Sequence, residues 1–229
     1  MSKPIGIIGA MDIEVDGIVA SMSNTTVEEI SGVKYYSGTL SNKDVVVAKC
    51  GIGKVFAAIC SQTMILKYNP CVIINTGVAG SLSNELNILD VAVADKVVQH
   101  DMDTSAIGDP KGLISGINVI YFETEARATA KLQEAAISSG CNTKVGIIAS
   151  GDKFMSVPSE KKAIKDEFNA IACEMEGASI GHVCFVNNTP FGVIRAISDS
   201  EGAEMDYMAF AEKAAENSIK ITKKFVEIY

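Results

Sequence analysis

Three acidic residues and one arginine stand close together in two stretches of the 229-residue sequence. Glu174 and Glu176 stand two residues apart, and Arg195, Ser198 and Asp199 follow within one short segment. Carboxyl groups can move protons, and an arginine inside an apolar segment needs an anionic or hydroxyl partner. Taken alone, each acidic residue is more simply a solvated loop charge or, for Asp199, a helix cap. The set together favours a functional site.

The elements around these residues predict that their side chains meet at one edge of a sheet. Glu174 and Glu176 are expected to share one side of an extended segment, because side-chain direction repeats every two residues there. Gly177 then lets the chain turn into a helix. The segment Phe191–Ile197 is apolar and β-branched, as in a strand buried on both faces. Arg195 and the residues after it are expected at its carboxyl end, where ligands bind in open α/β sheets.

Another carboxylate follows the first predicted strand. Ile5–Ala10 has the pattern of a buried strand, and the residues from Met11 to about Met22 that of a helix. Glu14 lies in the first turn of this helix, where the helix dipole favours acidic residues. The functional alternative is that Glu14 points to the same sheet edge as Asp199. The residues alone leave both interpretations open.

The rest of the chain alternates short apolar β segments with helices. A hairpin is predicted from strands at Val33–Leu40 and Asp44–Cys50. Further strands are expected at Val72–Asn75, Val91–Gln99, Ile117–Tyr121 and Val145–Ala149, and further helices at Val55–Leu66, Glu125–Ser138 (capped by Thr124) and Met205–Val226. This order predicts an α/β fold with residues 1–229 in a single domain. Its central sheet should be mixed, mostly parallel and twisted, and flanked by helices.

Composition argues against several classes of protein. The formal net charge of −8 disfavours nucleic acid or an anionic membrane as partner, since both require a basic surface. The six cysteines form no C-x-x-C pair and the two histidines have no metal-ligand spacing. The amino terminus does not resemble a signal peptide, and no run of about 18 apolar residues could span a membrane. A cytoplasmic protein without metal or cofactor is predicted.

Glycine-rich stretches follow two of the predicted strands. Gly51–Lys54 is not a Walker phosphate loop, because Val55 stands where a Ser or Thr is needed. The turn that contains Gly77 and Gly80 lets a ligand approach the backbone closely, although a tight turn without ligand uses the same residues. Phe154, just after a strand, is placed either to stack on a planar base or to fill the core.

Several segments, in order over essentially the whole chain, resemble the 5′-methylthioadenosine/S-adenosylhomocysteine nucleosidases of the nucleoside phosphorylase superfamily. They are Gly6–Met11 with Glu14, Gly51–Lys54, Asn75–Gly77 with Ala79–Gly80, Ser150–Asp152 with Phe154, Glu174–Glu176 and Arg195–Asp199. The resemblance implies a nucleoside phosphorylase-like fold that hydrolyses the N-glycosidic bond of methylthioadenosine and S-adenosylhomocysteine. The products would be adenine and a 5′-thioribose, in methionine salvage and methyl-cycle recycling, with 5′-deoxyadenosine as a further candidate substrate.

The resemblance also implies a role for each site residue. Asp199 is the expected general acid toward N7 of adenine, held by Ser198, and Glu14 the expected base on the attacking water. Glycosidic cleavage needs this acid and this base on opposite faces of the sugar. Burial beside an apolar strand would help the acid keep its proton near neutrality. At the ribose, Met175 and Glu176 are expected to bind the hydroxyls, with Arg195 near a ribose hydroxyl and the water. Phe154 and Met155 are expected at adenine. Gly80 is expected to line the site, and Ile52 to contact the 5′ substituent.

Two features depart from the family pattern. Val78 stands where the family often carries a small polar residue, so a water contact is expected to be lost or shifted. The loop at 104–114, which in the family helps close the neighbouring subunit's 5′-alkylthio pocket, is less aromatic here, with Thr104, Ile107 and Pro110. A homodimer is predicted, with Ile107 as an apolar contact. Acceptance of homocysteine-bearing or deoxyfutalosine-type substrates stays open.

Other functions are compatible with the same fold. A purine nucleoside phosphorylase would use phosphate in place of water, but a phosphate dianion needs several cationic residues and would be repelled by Glu14. A catalytically silent nucleoside-binding protein would need neither Glu14 nor Asp199. An unrelated site on an α/β domain would make every matched segment a coincidence. Hydrolysis is therefore the predicted activity.

Overall fold

The computed structural model describes residues 3–200 and 203–229. Within these ranges the strands are β1 (Ile5–Gly9), β2 (Ser23–Ile30), β3 (Val33–Leu40), β4 (Lys43–Lys49), β5 (Val72–Ser81), β6 (Val91–Gln99), β7 (Tyr121–Glu123), β8 (Thr143–Ser150), β9 (Ala170–Glu174) and β10 (Phe191–Asp199). The α-helices are α1 (Asp12–Val19), α2 (Lys54–Tyr68), α3 (Ala126–Ser138), α4 (Pro158–Phe168), α5 (Gly177–Val186) and α6 (Ala203–Ile228).

These strands form one mixed sheet. Their order is β10-β6-β8-β9-β5-β1-β4-β3-β2, with β7 on β6 and an additional pairing of β10 with β5. Parallel pairing joins β1 to β4 and β5, and β5 to β10, so the carboxyl ends of these strands meet at one edge. The end of β9 reaches the same edge, where Cys173 lies opposite Gly80 of β5. The predicted mixed sheet flanked by helices is confirmed.

Apolar side chains pack on both faces of the central strands. Ile8 of β1 belongs to a cluster with Met64 of α2 and Ile180 of α5, whereas its neighbour Ile7 belongs to a second cluster with Phe225 of α6. All five side chains are fully buried. A strand covered by helices on both faces must be apolar at successive positions, which is why β1 is a continuous apolar run.

The edge of the sheet was harder to predict from sequence. β2 is absent from the prediction because none of its residues is buried, so it lacks an apolar periodicity, and it pairs with β3 at the end of the sheet. The predicted strand Ile117–Tyr121 is wrong: the strand begins at Tyr121, and Val119 forms only an isolated bridge.

The boundaries of α1, α2, α3 and α6 agree with the prediction to within a few residues, whereas α4 was not predicted. The predicted cap of α3 is wrong: the side chain of Glu125 accepts a hydrogen bond from Ala128 N, while the Thr124 hydroxyl contacts the carbonyl oxygen of Ala94. The longest helix, α6, alternates buried residues with charged ones. In the described part of the chain, no helix has an apolar stretch long enough to cross a membrane.

Ile221 and Ile137 offer a matched test of the core under α6. Ile221 is fully buried on α6, and Ile137 on α3 is 59% exposed. Ile221→Ala should lower the free energy of unfolding by about 2–5 kcal/mol, because it leaves a cavity in a packed cluster. Ile137→Ala should change it by less than about 0.5 kcal/mol. Urea unfolding measures both, and equal losses would contradict this packing.

Candidate active site

Glu14 is turned back toward the end of the first strand. It lies in the first turn of α1 and is only 3% exposed. Its Oε2 accepts hydrogen bonds from Ala10 N (2.7 Å) and Met11 N (3.0 Å), and its Oε1 accepts one from Val78 N at the end of β5 (3.0 Å). Glu14 is therefore a buried group that bridges two strand ends, and not a solvated residue at a helix dipole.

The protonation of Glu14 is shaped by this burial. Burial raises the pKa of Glu14 above its ordinary value of 4.5, while the charge of Arg195 and the three backbone N–H groups lower it by less. A carboxyl group whose pKa is raised above its ordinary value is better suited to act as a general base.

Arg195 lies in the middle of β10, whereas the sequence placed it at the end of a shorter strand. It is 1% exposed. Its Nη2 donates to Glu174 Oε2 and to Asn75 Oδ1, and it lies 3.8 Å from Glu176 Oε2. Its Nε, also buried, has no partner among the described residues. Arg195 thus links three strands and keeps one donor for a ligand.

Glu174 organises the turn that follows β9. Its Oε2 accepts hydrogen bonds from Glu176 N (3.0 Å) and Gly177 N (2.7 Å), and its Oε1 accepts one from the Ser150 hydroxyl at the end of β8. The predicted sharing of one extended segment is wrong: Glu174 ends the strand, but Glu176 is the N-cap of α5 with φ −134° and ψ −39°. The turn brings Glu174 into hydrogen-bond contact with Arg195 and leaves Glu176 Oε2 at 3.8 Å from the same guanidinium.

Glu176 reaches across to the loop before α2. Its Oε1 accepts a hydrogen bond from Gly53 N at 2.8 Å. Burial raises the pKa of Glu176 to about 8, the charge of Glu174 adds to this effect, and Arg195 opposes it. Gly53 received no role from the sequence, although its segment carried part of the family resemblance. Its φ of +100° is accessible mainly to glycine, which explains the residue type there.

Asp199 ends β10 and is 2% exposed. Its Oδ1 lies 3.0 Å from the Ser198 hydroxyl, so the predicted contact with Ser198 is present. Its Oδ2 accepts a hydrogen bond from Lys161 Nζ at 2.7 Å, a partner that the sequence did not indicate. A β-carbon on Gly80 would stand 2.7 Å from that same oxygen, so only glycine fits beside it.

A small cavity lies beside Asp199. It has a volume of about 30 Å³ and is lined by Gly80, Lys153, Phe154, Met155, Cys173, Glu174, Met175 and Asp199. Five of the predicted site residues therefore meet there: Gly80, Phe154, Met155, Met175 and Asp199. Ile52 is not part of this lining and is 55% exposed in the loop before α2.

Tyr207 of α6 packs against Phe154 at the site, and the sequence did not indicate this position. Its ring makes an edge contact with Phe154, with ring centres 5.2 Å apart, and its hydroxyl lies 3.6 Å from Met11 Sδ. Burial raises the pKa of Tyr207, and the charges of Glu14, Asp199 and Glu176 add to this effect. The ring therefore stands near the three carboxyl groups. An aromatic residue in a helix carries no sequence signal that distinguishes this position from a core position.

The donor set does not suit a metal ion. Among the described residues, no group of three or more His, Cys, Asp or Glu side chains is arranged to hold one. The buried carboxyl groups are occupied by backbone N–H groups, Arg195 and Lys161. What the arrangement offers is proton transfer at two separate carboxyl groups at one sheet edge: Asp199, which lines the small cavity, and Glu14, which is not among its lining residues.

Comparison with known proteins gives consistent matches over the whole chain. The phosphorylase superfamily model matches residues 4–227. A 5′-methylthioadenosine/S-adenosylhomocysteine nucleosidase of Staphylococcus aureus is 40% identical over 225 residues, covering 97% of this chain and 98% of the relative. The Neisseria meningitidis nucleosidase of the same name, solved with methylthio-immucillin-A, is 32% identical with a TM-score of 0.95 and full coverage of both chains. The futalosine hydrolase of Helicobacter pylori is 38% identical with a TM-score of 0.94, covering 99% of this chain and 98% of that one.

Arg195→Met tests the charge balance of the site. Removing the guanidinium leaves Glu174, Glu176 and Glu14 buried without their shared cation, so the variant should lose about 3–5 kcal/mol of unfolding free energy near pH 8. These carboxyl groups would bind protons more tightly in the folded than in the unfolded chain. The deficit should therefore be present above their ordinary pKa values and shrink as the pH falls toward 4.

Arg127→Met is the matched control. Arg127 is exposed on α3, stacked over the Tyr229 ring at 4.4 Å. Its replacement should cost less than about 1 kcal/mol with no comparable pH dependence. Urea unfolding at several pH values measures both variants. A deficit in Arg195→Met that does not change with pH would contradict the proposed charge balance.

Proposed function

The chain belongs to the 5′-methylthioadenosine/S-adenosylhomocysteine nucleosidase family of the phosphorylase superfamily, and we propose from this membership that it hydrolyses the N-glycosidic bond of both nucleosides. The products are adenine and the 5′-thioribose. The observation that carries the proposal is the pair of buried carboxyl groups, Glu14 and Asp199, held by separate contacts at one sheet edge. Glycosidic hydrolysis requires one such group for each side of the bond.

Asp199 acts on the leaving group in this proposal. It passes a proton to N7 of adenine, and the electron pair of the bond between C1′ and N9 moves onto the base, which leaves as neutral adenine. Protonation is needed because an anionic purine is a poor leaving group. Ser198 stands beside Oδ1 of Asp199, and Gly80 leaves the space that Oδ2 occupies.

Glu14 acts on the water. It accepts a proton as the water oxygen bonds to C1′ of the oxocarbenium-like sugar, on the face opposite adenine. Three backbone N–H groups fix both of its oxygens, so the carboxylate is oriented before substrate arrives. Val78 contributes its backbone N–H to this anchor, a contact that does not depend on a polar side chain at that position.

The ribose contacts are assigned to Glu176, the Met175 backbone and Arg195. The raised pKa of Glu176, about 8, makes it a group that can both donate to and accept from a ribose hydroxyl near neutrality. Within the described ranges the buried Arg195 Nε is a donor without a partner, and it is available to the same hydroxyl or to the water.

Adenine is assigned to the cavity beside Phe154 and Met155. Phe154 is 43% exposed and would stack on the base, and the Met155 backbone would pair with its edge. A volume of about 30 Å³ is too small for a purine, so the site has to widen when substrate enters. Ile52, exposed in the loop before α2, stays assigned to the 5′ substituent.

Phosphorolysis is disfavoured by the charges of the site. In the described residues the sheet edge presents Glu14, Glu174, Glu176 and Asp199 against Arg195 and Lys161. A phosphate dianion entering near Glu14 would meet net negative charge. The similarity to a futalosine hydrolase makes a futalosine-type nucleoside a further substrate to assay, since that relative is 38% identical.

The cellular setting is part of the proposal. One nucleosidase domain spanning 1–229 would serve methionine salvage and methyl-cycle recycling in the cytoplasm. All six cysteines are free, and four of them are buried, as is typical of thiols in a reducing compartment.

Adenine release with and without phosphate tests the activity. Methylthioadenosine and S-adenosylhomocysteine should both yield adenine and the free 5′-thioribose at rates that do not depend on phosphate. A sugar 1-phosphate as product would establish a phosphorylase instead.

Because burial raises the pKa of Glu14 above 4.5, the base form is lost as the pH falls through that raised value, and kcat/KM should decline at a pH above 4.5.

Asp199→Asn and Glu14→Gln test the proposed acid and base roles of the two carboxyl groups. Each should bind substrate yet lower kcat by about 10²–10⁴-fold, the usual contribution of a general acid or base. Asp166→Asn and Glu160→Gln are the matched controls, because both groups lie in solvent-exposed ion pairs on α4. A near-normal kcat in Asp199→Asn would remove Asp199 from the mechanism, and retained binding without any turnover in the unsubstituted protein would favour a silent binder.

A homodimer is the second part of the proposal. Apolar side chains are exposed on the packed helices α2 and α5: Val55, Phe56, Ile59, Phe185 and Val186, each between 41% and 69% exposed. Exposed apolar groups gathered in this way mark an interaction surface. Ile107, which is 81% exposed, would reach the partner's 5′ pocket from the loop at 104–114.

Charged substitutions on this surface test the dimer. Ile59→Glu and Val186→Glu should each shift the sedimentation coefficient from dimer to monomer and lower turnover, because each site loses its partner's loop. Ile137→Glu, on the exposed face of α3, should change neither. A fully active monomer in sedimentation would rule out the proposed role of the partner.

A further inference from the structure

Lys161 is a buried cation in contact with Asp199. It lies on α4, is 5% exposed, and its Nζ stands 2.7 Å from Asp199 Oδ2 and 3.0 Å from the carbonyl oxygen of Ser200. Burying an ammonium and a carboxylate costs several kcal/mol each before their attraction is counted, so such pairs are uncommon. The position of Lys161 is therefore specific to Asp199.

The neighbouring lysines behave differently. Lys162 forms an exposed pair with Asp166 on the same helix, and Lys153 pairs with Glu160 at the surface. These contacts contribute little to stability and leave both partners in water. Lys161 alone of this set is turned inward.

The other titratable groups near Asp199 do not neutralise it. Burial raises the pKa of Cys173 to about 12 and also raises that of Tyr207, so both are uncharged near neutrality. Glu174 is paired with Arg195, and Glu14 is a further carboxyl group. In the described part of the chain, Lys161 is the cation in hydrogen-bond contact with Asp199.

We propose that Lys161 is a positioning residue for the general acid: it holds Asp199 as an oriented carboxylate in the free enzyme and stabilises that carboxylate when it re-forms after proton transfer. The inference rests on the proposed function of Asp199. An ammonium at 2.7 Å favours the ionised carboxyl group. Asp199 therefore has to take up a proton when substrate binds, and Lys161 makes it a stronger donor once it holds one.

The proton balance closes over one turnover. Asp199 takes one proton from solvent as the nucleoside binds and passes it to N7, and the C1′–N9 electron pair leaves with adenine. Glu14 takes one proton from the attacking water and later returns it to solvent.

A second, larger cavity lies on the other side of Lys161. Its volume is about 890 Å³, and it is lined by residues of the 81–88 segment and of α4, including Lys161 and Ser200, whereas Asp199 lines the small cavity. The ion pair thus stands between the two cavities.

The experiment is proton-linked calorimetry with the C-nucleoside 9-deaza-5′-methylthioadenosine, which resists hydrolysis and carries a hydrogen on N7. An N7–H donor needs Asp199 as a carboxylate. Titration at pH 7 in buffers of different ionisation enthalpy counts the protons exchanged per site. The unsubstituted enzyme should exchange none at Asp199. In Lys161→Met a buried, unpaired Asp199 should hold its proton and release roughly 0.5–1 proton per site more, since isolated buried carboxyl groups stay protonated near neutrality.

Two further variants distinguish the effect of the Lys161 charge from an effect on folding. Lys161→Arg keeps the cation and should give the unsubstituted proton count, because arginine stays charged. Lys162→Met, the matched control on the exposed side of α4, should give it too. In hydrolysis, Lys161→Met should move the alkaline limb of kcat/KM to higher pH and lower kcat, while Lys161→Arg should do neither.

The outcomes are distinguishable. Hydrolysis by the unsubstituted enzyme with an unchanged proton count in Lys161→Met would overturn this inference and leave the proposed function intact. Loss of the unsubstituted count in a folded Lys161→Arg would overturn it as well, since charge would then not be the cause. Failure of the unsubstituted enzyme to bind the analogue would overturn the proposed function and this inference together.

Discussion

The ion pair between Arg195 and Glu174 is the contact on which the site depends. It joins the middle of β10 to the end of β9, and Asn75 adds β5 on the other side of the guanidinium. Glu174 also accepts the backbone N–H groups of Glu176 and Gly177, so the same carboxylate shapes the turn into α5. Because both partners are fully buried, removing either one leaves the other as a buried charge without compensation. The strand ends are held in register by this requirement.

Around that pair the site has more carboxyl groups than cationic side chains. Glu14, Glu174, Glu176 and Asp199 are all buried, and the cations that the described residues bring to them are Arg195 and Lys161. Burial accordingly raises the pKa of Glu14 and that of Glu176. A sugar that develops positive charge during cleavage would relieve this imbalance, so the electrostatics favour the transition state over the neutral substrate.

Glycines set how closely these carboxyl groups approach the backbone. A β-carbon on Gly77 would lie 2.4 Å from Glu14 Oε1, and one on Gly80 would lie 2.7 Å from Asp199 Oδ2. Both glycines belong to the end of β5. The strand therefore leaves space in place of side chains, and the carboxyl group of Glu14 occupies the space beside Gly77 and that of Asp199 the space beside Gly80.

The sequence by itself determined the strand and helix order of the core, because continuous apolar runs and helical periodicity follow directly from burial on two faces. It also identified the buried carboxyl groups and Arg195, since a charged residue in an apolar segment is conspicuous. It could not assign the polar edge strand β2, the partner of Arg195 or the roles of Lys161, Gly53 and Tyr207. Lys161 shares one face of α4 with the buried Ile164 and Phe168, so helical periodicity is consistent with its burial, but Asp199 lies 38 positions further along the chain. That Lys161 meets Asp199 is decided by how α4 packs against β9, and only the tertiary structure contains that information.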